Sequence, residues 1–275
     1  MASNWRKIIF KSNKDANINQ SLEIYKESLG ISDKYDVLLK HNNDNTSNSI
    51  KIFLEKKTKF SNTIKMIYKT NIVGNEILVL NEVFVRNNIK YCNLIYNHKK
   101  INLKSKLIIN DSIKKRGVLS IKLTGITNVR YMNHIFFKCS NLLSLPDINK
   151  WDTKYIINMS RIFCACTSLS SLPDLSSWKT NVVDNMSGMF WQCKSLKEIP
   201  DISKWNVENV FDLGLMFCEC YSITSLPDIS KWNTINVKSL IKMFCFCSKL
   251  EKLPDISNWK TARYFFWLLI FTIYS

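Results

Sequence analysis

Glycine and proline are scarce in this chain: its 275 residues hold six glycines and five prolines. None of the six glycines belongs to a Gly-rich loop, so no backbone cradle for a phosphate or a dinucleotide is present. Histidine is scarcer still, and His41, His98 and His134 fall in a polar stretch, a turn-like dipeptide and an apolar periodic segment. No serine or cysteine motif stands near them, and nucleophilic catalysis needs a base beside its nucleophile. A non-catalytic protein without a cofactor is the expectation.

Long apolar runs are also missing. The longest, Tyr264 to Tyr274, is about half the roughly 20 residues that cross a bilayer, so no transmembrane span is expected. The start, Met1 to Asn13, has Arg6 and Lys7 but only the short apolar run Ile8-Ile9-Phe10, which is not the core of a secretory signal. An intracellular, reducing location is therefore the default expectation, with the cell surface as the alternative. Acidic residues are outnumbered, 22 against 39 basic, and the excess is uneven: residues 1 to 125 hold 23 Lys and Arg against 10 Asp and Glu, residues 126 to 275 hold 16 against 12. A basic amino-terminal half attracts nucleic acid, an anionic surface or an acidic partner, or simply solvates the fold.

What the chain has in quantity is repetition. Its only prolines, Pro146, Pro173, Pro200, Pro227 and Pro254, are 27 residues apart. Trp151, Trp178, Trp205, Trp232 and Trp259 keep the same step, as do Cys139, Cys166, Cys193, Cys220 and Cys247, and Phe136, Phe163, Phe190, Phe217 and Phe244. A fixed period of this size marks a solenoid, whose coils bury their apolar sides only against one another. Within a repeat, Val129, Met132, Ile135 and Phe136, then Ile156, Met159, Ile162 and Phe163, are spaced by three, three and one. That spacing predicts a helix of about three turns, with Thr153, Thr180 and Thr234 placed to cap its first amides. A short strand at Leu169 to Leu172 would leave its ladder at Pro173.

The rest of the chain divides by pattern. Residues 1–49 are polar, with one amphipathic helix predicted from Ile18, Leu22, Tyr25 and Leu29 and stopped by Gly30; Lys40 to Ser49 is a linker or loop. Residues 50–117 carry strand-like runs at Ile50 to Leu54, Thr63 to Tyr68, Glu76 to Val85, Tyr91 to Tyr96 and Ile101 to Ile109, with turns at Gly74-Asn75 and Asn97-His98. Val118 to Leu123 is one period before the strand phase of the first repeat, and is expected to be a half coil covering the first edge. Residues 262–275 are an apolar tail or a degenerate sixth repeat, a candidate for self-association.

Two ladders invite a chemical reading. Cys164-Ala165-Cys166, Cys218-Glu219-Cys220 and Cys245-Phe246-Cys247 resemble a metal ladder, but other repeats place Phe137 or Trp191 where the first cysteine stands, and no paired C-x-x-C exists. Structural thiols are expected. Asp147, Asp174, Asp201, Asp228 and Asp255 each follow a proline; they suit an Asp turn, a calcium stripe or contact with a partner, and the turn is the reading favoured here.

The run [LI]-x-x-[LI]-P-D-[IL]-x-x-W, with V-x-x-M-x-x-M-F-x-x-C-x-x-L as its complement, resembles the BspA-like leucine-rich-repeat family, in the branch first described as a mycoplasma surface-protein domain of unknown function. The resemblance covers residues 126–261, and more weakly 63–125 through Ile67-Tyr68-Lys69 and Phe84-Val85-Arg86-Asn87-Asn88. Trp191, Val207, Leu213 and Leu240 depart from it mildly. It implies a leucine-rich-repeat α/β solenoid of short parallel strands and short helices over residues 118–261, preceded by a small β-rich region. It also implies protein–protein contact or adhesion, with no catalytic residues to carry over. The expected function is a protein-binding scaffold of that type, with nucleic-acid or anionic-surface binding through the basic half as the alternative.

Overall fold

Alternation decides the first strands. In β4 (Thr63–Lys69), Ile64, Met66 and Tyr68 are fully buried while Thr63, Lys65 and Ile67 are half-buried, the period-two pattern of a sheet with one face on the core. A computed structural model describes residues 7–11, 35–41, 49–56 and 61–260. The chain forms two compact units, Met1–Lys59 and Phe60–Ser275.

The first unit contains β1 (Lys7–Lys11), β2 (Tyr35–His41) and β3 (Ser49–Lys56), joined antiparallel in the order β1-β3-β2. Sequence reading places only the third of these; Lys40, His41 and Ser49 belong to strands rather than to a linker. The helix expected between Ile18 and Leu29 and the tail at 262–275 lie outside the described residues.

The second unit opens with β4, β5 (Glu76–Leu78), α1 (Glu82–Asn88), β6 (Asn93–Tyr96), β7 (Lys99–Asn102), β8 (Lys106–Ile108), α2 (Asp111–Arg116) and β9 (Val118–Thr124). The run read as one strand from Glu76 to Val85 breaks because Asn81 caps a helix, its side chain accepting a hydrogen bond from the Val83 N–H. The turn at Asn97-His98 joins β6 to β7 with both residues at positive φ, 48° and 61°, the twist a two-residue hairpin requires. With β10 (Leu142–Ser144), five strands pair antiparallel in the order β10-β4-β9-β6-β7. The first repeat's edge is thus covered by β4, and β9 stands one strand farther out. Lys65 N–H bonds Asp147 Oδ1 at 2.7 Å and Ser61 N–H bonds the Lys150 carbonyl at 2.7 Å, fixing β4 along that edge.

The repeats correct the expected architecture. An α/β solenoid of parallel strands and helices is not what forms: every ladder between named strands is antiparallel, and both α-helices of the described residues precede the repeats. The leucine-rich-repeat features fall with it, since the leucine phase forms a strand only at β10 and the helical phase forms none. Among the described residues, parallel contact is limited to single bridges, Tyr131↔Asn158↔Asn185↔Asp212↔Ser239. The predicted helix is instead a chain of turns closed three residues back, such as Ile135 N–H to Met132 O and Cys139 N–H to Phe136 O. Alternate amides donate outward: Met159, Arg161, Phe163 and Ala165 bond the carbonyls of Asn185, Ser187, Met189 and Trp191 at 2.7 to 2.9 Å. Spacing of three, three and one puts the same side chains inward in either geometry, so the core is buried without a helix. The turns require left-handed backbone at His134, Arg161, Gly188, Leu215 and Lys242, and again at Lys138, Ala165, Gln192, Glu219 and Phe246, with φ between 53° and 64°.

Candidate functional site

The Phe, Trp and Cys ladders read from the sequence bring equivalent residues of successive repeats together. The rings of Phe136, Phe163, Phe190, Phe217 and Phe244 stack with centroids 5.5 to 6.0 Å apart. Trp178 stacks on Trp205 at 5.9 Å and Trp232 on Trp259 at 6.0 Å. Each indole N–H from Trp178 onward donates to the carbonyl thirty residues earlier: Ile148, Leu175, Ile202 and Ile229. Trp151 Nε1 is buried without a partner, because thirty residues before it lies Ile121 in β9, and β4 stands between β9 and β10.

The thiols follow the same rule. Cys166, Cys193, Cys220 and Cys247 donate to the carbonyls of Phe136, Phe163, Phe190 and Phe217 at 3.0 to 3.1 Å. Burial pushes the thiols of Cys139, Cys166, Cys193 and Cys220 well up, and those of Cys92, Cys164, Cys218 and Cys247 up to about 12. They are neutral, no two are joined in a disulfide, and a neutral buried thiol is neither a nucleophile nor a metal ligand. Among the described residues no group of His, Cys, Asp and Glu is arranged to hold a metal ion.

The aspartates close Asp turns. Asp174, Asp201, Asp228 and Asp255 each accept the N–H of the serine two residues on; the serine's hydroxyl and then its N–H hold the carboxyls of Asp201 and Asp228 below the usual range, and its N–H and then its hydroxyl hold that of Asp255. Asp147 differs, its Oδ1 being taken by β4. The prolines beside them range from buried Pro200 to exposed Pro146. Thr153 and Thr234 do not cap helices; their hydroxyls donate to the carbonyls of Lys179 and Lys260 in the next repeat. Thr180 finds no such partner.

Five exposed apolar side chains, one in each successive repeat and all within five neighbouring phases of the period, were not singled out by sequence reasoning. Tyr131 and Tyr155 are each 52 % exposed, Val182 47 %, Phe211 40 % and Ile235 53 %. They lie on or beside the row where Ile157, Asp184, Phe211 and Lys238 each bond the carbonyl of the residue 27 before, so they run across successive repeats. Arg130 lies over the Tyr155 ring at 4.7 Å and Lys154 at 5.1 Å, which holds a tyrosine upright in water. The available signal was phase: Tyr155 and Val182 occupy equivalent positions that have no place in the buried pattern. A half-buried polar group gathers on Glu219, whose carboxylate accepts from Trp191 Nε1, Gln192 Nε2 and the Tyr221 hydroxyl; its bonds are already satisfied.

The columns rest on the recurrence itself, and that recurrence is what known proteins share with this chain. A family model described as Mycoplasma protein of unknown function, DUF285, matches residues 112–223 and 196–271, more than half of the chain. The chain belongs to this family. The DUF285 match begins inside α2 and takes in every recurring Pro, Trp, Phe and Cys. No curated protein and no solved structure matches the chain. Among the described residues no helix is long and apolar enough to cross a membrane.

Proposed function

We propose that this DUF285 protein is a non-catalytic scaffold that binds another protein along its repeats. The observation that carries the reading is the exposed strip from Tyr131 through Tyr155, Val182 and Phe211 to Ile235. Tyrosine with arginine beside it is the composition of interface hot spots, and an exposed apolar side chain in each of five successive repeats, within a few phases of one another, is a place for a partner to bury apolar surface. The neutral thiols and satisfied aspartates support a structural role for the columns, leaving the exposed rows for contact. The finer placement, in the BspA-like branch with adhesion at a cell surface as the form of contact, belongs to the same proposal. It is supported by the joint recurrence of Pro-Asp, Trp, Phe and Cys.

The test is affinity capture with the full chain and with a Tyr131→Ser, Tyr155→Ser, Phe211→Ser variant whose unfolding midpoint is unchanged. A protein retained by the natural chain, purified, is expected to bind the variant at least about tenfold more weakly. Equal affinity for both, or no protein retained, contradicts the proposal.

A further inference from the structure

The outer face of the five-stranded sheet is basic and has no carboxylate of its own. Register places Lys65 of β4 directly opposite Lys122 of β9, Lys122 opposite Ile95 of β6, and Ile95 opposite Lys100 of β7. Four residues along, on the same face, Lys69 stands at the end of β4 opposite Val118. Lys69, Lys100 and Lys122 are exposed and Lys65 is half-buried. Neighbouring strands are about 4.8 Å apart, so the row sets three ammonium groups across four strands. Like charges directly opposite each other destabilise a sheet, and no ion pair relieves these. The one ion pair among the described residues is Lys106 with Glu76, on other strands. Asp147, at the β10 edge, spends its Oδ1 on the Lys65 backbone N–H.

Around residues 61–125 the imbalance is larger than in the whole chain, with twelve Lys and Arg against three Asp and Glu. Apart from Ile67, Ile95 and Val118, the rest of the face is polar and short. Thr63, Thr124, Asn93 and Asn102 form the row beside the lysines, and Ser120 lies on the other side. Hydroxyl and amide side chains next to lysines are the groups that hold phosphate and sugar oxygens. No aromatic side chain lies on the face to stack a base; of its apolar residues Ile67 and Ile95 are half-buried, and the one that is exposed, Val118, is a short side chain at the end of β9.

We propose that this face binds the phosphate backbone of nucleic acid, without reading its sequence. It is a surface separate from the apolar strip and does not depend on the protein-binding reading. The experiment is fluorescence anisotropy of the full chain with labelled DNA and RNA duplexes of about 20 base pairs and mixed sequence, over a range of salt. Three variants accompany it. One replaces Lys65, Lys69, Lys100 and Lys122 by serine; a control replaces Lys179, Lys197, Lys204 and Lys231 of the repeats; the third is Lys122→Glu.

The natural chain is expected to bind duplex at low salt with an affinity that falls steeply as salt rises. The sheet variant is expected to bind at least about tenfold more weakly, with a salt slope shallower by about 3 to 4, while the control retains most of the binding. Lys122→Glu places an acid opposite Lys65, so its unfolding midpoint is expected to rise as its binding falls, which separates lost contact from lost fold. Preference between the DNA and RNA duplexes identifies the source of the phosphates. No binding at low salt overturns the proposal, and so does equal weakening by the control. Binding of vesicles rich in anionic lipid in place of duplex assigns the face to a membrane and overturns it as well.

Discussion

Buried cysteine sets how this protein responds to alkali. In the fold, burial raises the thiols of Cys92, Cys164, Cys218 and Cys247 from 9.0 to about 12, and those of the inner column further. The unfolded chain releases these protons near its ordinary thiol value, whereas the native chain keeps them. Above that value the folded state binds more protons than the unfolded one, so stability falls as pH rises. The stabilisation is intact below pH 9 and is lost progressively toward pH 12, at about 1.4 kcal/mol per pH unit for each such thiol. Urea unfolding between pH 7 and 10.5 is expected to show a steep loss above pH 9, reduced in Cys166→Ala and Cys193→Ala variants. A flat profile contradicts neutral buried thiols. Alanine there also removes the bond from sulfur to the carbonyl thirty residues back, so the variants start from a lower stability at pH 7.

Turns, rather than helices, are the elements of the repeat, and the difference rests on backbone handedness. At Gly188, φ is +58°, and an added Cβ meets Arg161 Cγ at 3.3 Å. Gly188→Val is expected to cost about 1–2 kcal/mol, because a left-handed conformation is unfavourable for a side chain and more so for a branched one. Chemical denaturation measures it; in a right-handed helix the same change would be worth little or would stabilise. The evidence for turns was present in the sequence. Positions 134, 161, 188, 215 and 242 hold His, Arg, Gly, Leu and Lys, and positions 138, 165, 192, 219 and 246 hold Lys, Ala, Gln, Glu and Phe. No β-branched residue occupies either phase, as positive φ demands. Apolar spacing alone could not show this, since a helix and a chain of turns both bring Met159, Ile162 and Phe163 inward.

The edge strand β10 makes a second distinction at the same scale. Asp147 and Asp201 are equivalent in sequence, yet Asp147 accepts the Lys65 N–H across 82 residues and Asp201 only that of Ser203. Asp147→Ala is expected to cost about 1–3 kcal/mol by leaving a strand amide unsatisfied, and Asp201→Ala distinctly less. Equal losses in thermal unfolding contradict the docking of β4 on the first repeat. Legibility fails here for a plain reason. Shifting back one period from Leu145 and Ile148 lands on Val118 and Ile121, which correctly marks β9 as a strand. Nothing in the period says that β4, far earlier in sequence, inserts between β9 and β10.

Over the whole molecule, the period was the readable part, and what it dictates is that equivalent residues lie against each other. The Phe and Trp columns follow directly from it, because a ring every 27 residues has no neighbour to exclude water except its own equivalent. The class of structure drawn from that period was wrong, since periodicity fixes which residues meet and leaves open how the backbone bonds between them. The exposed strip and the lysine row were hidden for a related reason. Both are defined by side chains outside the repeating core, and their alignment appears only once the register between repeats, or between β4 and β9, is known.

The central claim is that each repeat bonds the next through alternate amides of its turns. Scalar couplings transmitted through hydrogen bonds, read by NMR on the deuterated chain, test it most directly. Couplings are predicted from the amides of Met159, Arg161 and Phe163 to the carbonyls of Asn185, Ser187 and Met189. Couplings from the same amides to carbonyls four residues earlier in their own repeat, the pattern of an α-helix, would contradict it.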